Sequence, residues 1–116
     1  MTKPLTAPPL SEAQFLTQVV ELAEIRHWAW VHLRPGMTRD SWRTPISGPL
    51  GKGFADLMLF HPGKCRTLFA ELKRGPAEKR DTPQAQLDFL EMAAAAGNET
   101  ALWEPADWDE IEAVLR

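Results

Sequence analysis

The chain has 116 residues, 44% hydrophobic and 25% charged, with a formal net charge of −3. That size means one domain with a real core, and the balance is that of an ordinary soluble globular protein, not a disordered or fibrous one. No run of about 18 apolar residues is present, so no membrane span is expected. The single cysteine, Cys65, rules out an internal disulfide and points to a reducing compartment, and residues 1–10 lack the apolar core of a secretory leader, so a cytoplasmic location is expected.

Residues 1–10 carry three prolines and no periodicity, and read as a flexible arm before a single domain over 11–116. Residues 11–26 are predicted helical. Ser11 is a good N-cap with Gln14 in the capping-box position, and Leu16, Val19, Val20 and Ala23 fall on one stripe. Glu12 shares that stripe. An acid there meets solvent, the helix dipole or a metal. Residues 28–33 alternate as a strand, with Trp28, Trp30 and His32 on one face and Ala29, Val31 and Leu33 on the other. The tryptophans read as core, and His32 reads as a hydrogen-bonded structural histidine ahead of a ligand.

Residues 34–52 form a long connection with room for a short strand near 42–46. Connections of this length are uncommon in compact domains and usually functional. This one carries Arg34, Arg39, Arg43 and Lys52 among serines and threonines, the residue types that grip nucleic-acid phosphates.

Residues 53–73 read as two strands joined by a type II turn at Pro62-Gly63, with His61 and Lys64 closing the hairpin. That register sets Asp56 opposite Phe69, with Glu71 its diagonal neighbour about 7–8 Å away on the same face. Lys73 joins them by alternation, while Ala55, Leu57, Leu59, Leu68, Ala70 and Leu72 form an oily opposite face. After a break at Arg74-Gly75-Pro76 come Lys79 and Arg80. Thr82 then caps a helix that has Pro83 at its first position and stops at Gly97, with Leu87, Leu90, Ala93 and Ala94 on one stripe. Gln86 lies in its first turn, where it could face the carboxylates, and Gln84 competes for that place. Residues 100–104 make a last strand ended by Pro105, and Asp107 caps a last helix with Glu110 in the capping-box place. The order αβββαβα predicts an α/β fold, a mixed sheet flanked by helices.

Two carboxylates and an amine on one hairpin face suit metal-assisted hydrolysis. Carboxylate oxygens hold Mg²⁺, which takes further ligands from water and substrate phosphate, and a nearby lysine orients water or offsets developing charge. The bland alternative is a pair of acids and a lysine that merely meet solvent. Charge distribution favours a polyanion partner. Residues 26–80 carry eleven Lys/Arg against four acids, net +7, between flanks of −2 and −8.

Asp56, a fourteen-residue gap, then Glu71-Leu72-Lys73 resembles the PD-(D/E)XK nuclease signature. Together with Gly53-Phe54-Ala55-Asp56-Leu57, the Pro-Gly turn, Thr82-Pro83 with Gln86, and Trp103-Glu104-Pro105-Ala106-Asp107-Trp108, it resembles the virus-type replication-repair nuclease domain, VRR-NUC, over almost the whole chain. Ala55 departs from the proline usual in that family before the aspartate. The resemblance implies a restriction-endonuclease-like fold and Mg²⁺- or Mn²⁺-dependent cleavage of structured DNA (junctions, forks or flaps) in phage-type replication and repair. Asp56, Glu71, the Leu72 carbonyl and Glu12 would hold the metal, Lys73 and Gln86 would complete the catalytic set, and Arg74, Lys79 and Arg80 would join the DNA contacts. It also implies a homodimer, for which Trp42 and Trp103 are the interface candidates, since the expected core does not need them. The alternative is a catalytically silent nucleic-acid-binding subunit of the same fold.

Overall fold

The computed structural model of the protein describes residues 10–33, 36–37, 42–43 and 47–116. Most of the expected arm and much of the arginine-rich connection lie outside the described residues. Leu10, expected in that arm, packs against the core.

The sheet has four strands in the spatial order β1 (Ala29–His32), β4 (Leu57–His61), β5 (Arg66–Leu72), β6 (Glu99–Trp103). The first three pair antiparallel, and β5 pairs parallel with β6. A separate antiparallel ribbon joins β2 (Gly36–Met37) to β3 (Trp42–Arg43). Helices α1 (Glu12–Ile25) and α4 (Trp108–Leu115) cover one face, and α3 (Gln84–Ala95) covers part of the other. The architecture is α/β with a mixed sheet flanked by helices. Among the described residues, no helix is long and apolar enough to cross a membrane.

α1 starts as its residues dictate. The Ser11 hydroxyl accepts from the Gln14 N–H, and the Gln14 side chain accepts from the Ser11 N–H. Its buried stripe is Phe15, Val19, Val20 and Ala23, with Leu16 half-buried beside it. With Ile111 and Leu115 of α4 it seals Leu57, Leu59, Leu68, Ala70 and Leu72 from water.

Trp103 belongs to this core. It is 1% exposed, opposite Leu72 in the parallel ladder, so its assignment to an interface is wrong. Once β6 pairs with β5, the Trp103 side chain joins the buried cluster that includes Ile111 and Leu115 of α4.

The hairpin departs from the expected register. Pro62–Lys64 form one 3₁₀ turn, the Lys64 N–H donates to His61 Nδ1, and pairing resumes at His61 opposite Arg66. Cys65, not Gly63, takes the left-handed conformation, at φ 52°. Proline at the start of a helical turn and a histidine cap favour this longer loop over a two-residue type II turn. The shift is two residues, which keeps every side chain on its expected face, but it moves Asp56 from opposite Phe69 to opposite Glu71.

Three capping expectations also change. Gly75-Pro76 is not a break but the start of a short helix, α2 (Pro76–Arg80). Thr82 donates its hydroxyl to the Lys79 carbonyl at the end of α2, and Pro83 is the N-cap of α3. The Asp107 carboxylate turns back to the Glu104 N–H instead of capping α4. α3 is rotated from the expected stripe. Phe89 nests against Phe54 and Phe69, with centroids 4.6 and 5.4 Å away, which buries Leu90 and leaves Leu87 outside at 37% exposure.

Candidate active site

Four of the sequence-predicted residues meet where the hairpin passes beneath the start of α3. The Leu72 N–H donates to Asp56 Oδ2 at 3.2 Å, and the Asp56 N–H donates to Glu71 Oε2 at 3.3 Å. Each acid is thus tied to the other strand's backbone. Lys73 Nζ donates to Gln86 Oε1 at 2.6 Å and lies 3.8 Å from Glu71 Oε1. Gln86, not Gln84, is the glutamine that reaches the cluster. Gln84 turns outward and donates to Asp88.

Gly53 makes this possible. A Cβ there would stand 1.8 Å from the Ala85 carbonyl oxygen and 2.8 Å from the Gln86 nitrogen. Only glycine lets the chain entering β4 touch the first turn of α3. The family-like run Gly53-Phe54-Ala55-Asp56 contains this residue, but nothing in one sequence says which backbone it abuts.

The acids do not meet solvent together. Glu71 is 2% exposed and Lys73 5%, whereas Asp56 is only half-buried. Burial pushes the Glu71 carboxyl up to about 8, helped by the adjacent Asp56 charge and the hydrogen bond between the two acids, against the pull of Lys73. A second buried negative charge is resisted there, so below about pH 8 the Glu71 carboxyl keeps its proton beside Asp56 and Lys73.

Asp56 is where the cluster opens outward. It lines a cavity of about 340 Å³ whose other walls are Glu12, Ala13 and Leu16 of α1, His32 and Leu33, and Leu72. Glu12 is therefore brought to the same cavity as Asp56, from the exposed first turn of α1. His32, read from sequence as structural, stands in that wall. Its alternation with Trp30 was the available signal, because it sets the ring on the α1 side of the sheet.

Among the described residues, no three His, Cys, Asp or Glu side chains group as a metal site. The two hard carboxylates nevertheless fit a small divalent cation, because Mg²⁺ is commonly held by one or two carboxylates with water and substrate phosphate as the rest. Their oxygen donor chemistry matches that ion better than a soft one.

Lys52 is exposed on the turn Gly51–Gly53. Arg74 pairs with Glu78 at 2.7 Å, Lys79 with Asp107 at 2.8 Å, and Arg80 lies 3.5 Å from Asp81. Arg34, Arg39 and the Arg43 side chain lie outside the described residues. No family model, curated protein or solved structure matches the chain.

Proposed function

We propose that the chain is a metal-dependent endodeoxyribonuclease of the VRR-NUC type, with a restriction-endonuclease-like fold, acting on structured DNA. One observation carries the reading. Two carboxylates, one buried and one lining a cavity, are each bonded to the backbone beside the other, and a single ammonium spans Glu71 and Gln86. A purely structural cluster would pair each acid with its own base.

Mg²⁺ or Mn²⁺ held by Asp56 and Glu71, with the Leu72 carbonyl and Glu12 as further oxygens, would supply a Lewis acid for the phosphoryl group and lower the pKa of a bound water. The protein's own groups prepare the place. The Leu72 N–H fixes one Asp56 oxygen, and Asp56 lines the cavity. Lys73 offsets part of the Glu71 charge, and Gln86 anchors the Lys73 amine. Burial keeps water from relaxing these dipoles, which makes them more effective toward charge that develops in the transition state.

The test is cleavage of duplex, single-stranded, forked and four-way DNA with Mg²⁺, with Mn²⁺ and with chelator. The expected result is metal-dependent cleavage that favours a branched substrate, and no cleavage of any of the four rejects the reading. The absence of a three-residue metal group among the described residues favours one alternative, a silent DNA-binding subunit. It predicts DNA binding that is indifferent to the metal. A homodimer, which would bring two such sites to opposite strands, is tested by light scattering at micromolar concentration.

A further inference from the structure

The sheet ends on an unprotected strand. Among the described residues β1 pairs with β4 alone, and its other edge is open. The Leu33 N–H donates to the Asp56 carbonyl at 2.8 Å, in the register that sets Ala29 opposite Phe60. Backbone groups of an antiparallel strand point to alternate sides, so Ala29, Val31 and Leu33 face β4, and Trp30 turns its N–H and carbonyl outward. Neither of those Trp30 groups has a partner among the described residues.

The side chains here are exposed as well. Ile25 is 70% exposed, Val31 47% and Trp30 36%. Natural edge strands are blunted by lysine, proline or a bulge. Ala29-Trp30-Val31-His32 has neither lysine nor proline, and its pairing with β4 runs without interruption. Such an edge is a template for another strand.

Symmetry and charge say which strand. An antiparallel edge is complementary to its own copy about a two-fold axis, and across that axis the two Trp30 rings become neighbours. The start of β1 follows Arg26, whose guanidinium makes no ion pair among the described residues. Glu24 beside it is held by the Trp30 indole N–H at 3.0 Å. At the far end of β1 stand the carboxylates of Glu12 and Asp56. Antiparallel pairing sets the basic end of one copy against the acidic end of the other.

We propose that a second copy of this chain pairs antiparallel on the open edge of β1, about a two-fold axis near Trp30, and that Arg26 of each copy meets the acidic end of the other at Glu12. The proposal rests on the homodimer in the nuclease reading and gives it an interface. Each copy thereby brings a positive charge to the mouth of the other's cavity, where a phosphodiester would otherwise meet two carboxylates.

Light scattering at micromolar concentration reads the mass, with circular dichroism to show that each variant is folded. Wild type should have the mass of two chains. Trp30→Pro removes the outward N–H and spares the ladder to β4, and Val31→Lys places a charge on the edge, so both should have the mass of one. Arg26→Glu should weaken the dimer roughly 10-fold or more, because like charges then face each other, and adding Glu12→Arg in the same chain should restore it. A monomeric wild type, or a folded Val31→Lys that dimerises as wild type does, overturns the interface. Failure of the charge swap to restore the dimer overturns the Arg26 contact. A monomeric wild type that cleaves DNA leaves the nuclease standing without this interface. A dimer that Val31→Lys dissociates, yet that cleaves no DNA, keeps the interface and rejects the nuclease.

Discussion

Two charged clusters sit at the two ends of strand β5, and they behave in opposite ways. At its start, Arg66 Nε donates to Glu99 at 2.7 Å, Arg66 Nη2 donates to the same carboxylate and to the Val114 carbonyl, and the guanidinium sits 4.8 Å over the Trp28 ring. One base meets one acid there. The hydrogen bond from Arg66 holds the Glu99 carboxyl below its usual range, and Arg66 is raised in return. At the other end, Lys73 reaches Glu71 with Asp56 beside it, and the Glu71 carboxyl is pushed the other way, up to about 8. A balanced, half-exposed pair is a fastening between sheet and α4. A buried one beside a cavity, with its carboxyl pushed far from the ordinary range, is the kind of place where functional groups cluster.

The largest contrast should appear in cleavage. Glu71→Gln and Asp56→Ala should each lose at least ~10²-fold in rate, the scale for deleting a transition-state stabiliser, while Glu99→Gln should cleave as wild type does. Full activity in either active-site variant would erase the distinction between the two clusters.

Next in size is Gly53→Ala. The added Cβ meets the backbone of α3 at 1.8 Å, so the helix must move and carry Gln86 away from Lys73. Both melting temperature and cleavage should fall, by about 2 kcal/mol or more in stability, as for overpacking. A variant as stable as wild type would show that α3 is not seated on this glycine.

The pH dependence of metal-free stability should have opposite signs at the two ends. Glu71 titrates near 8 when folded against an ordinary 4.5, so between those values the native state holds a proton that the unfolded state has released. Its contribution therefore lowers stability as pH rises from about 4.5 to about 8, and levels off above. Glu71→Gln should remove that decline and exceed wild type by more at pH 9 than at pH 6. The Glu99 carboxyl is depressed, so its contribution is present above its ordinary range and is lost as pH falls through its folded value. Thermal melts of wild type, Glu71→Gln and Glu99→Gln from pH 2 to 9 check both signs.

The smallest effect is the strength of the balanced pair. The Glu99 side chain is 40% exposed, so Glu99→Gln should cost only about 0.2–1 kcal/mol, less at high salt. Urea melts measure it. A loss of several kcal/mol would mean that this pair, too, is electrostatically demanding.

The sequence by itself determined helices α1, α3 and α4, the four strands of the sheet and the faces of the hairpin, but not the short helix α2. Capping and alternation are local properties, so Ser11 with Gln14, Gly97 at φ 96°, and the split between Leu57 or Leu59 and Asp56 or Glu71 were legible from one stretch at a time. It also brought Asp56, Glu71, Lys73 and Gln86 together as candidates. Only the tertiary structure decided that Asp56 stands opposite Glu71, because strand register follows from the loop that Pro62, Lys64 and Cys65 build, and two loop lengths preserve the same faces. Only it buried Glu71 and Lys73 under α3, chose Gln86 over Gln84, returned Trp103 to the core and set His32 in the wall beside Asp56. These depend on which surfaces meet, and distant contacts such as Gly53 against Ala85 leave no periodic trace in the residues that make them.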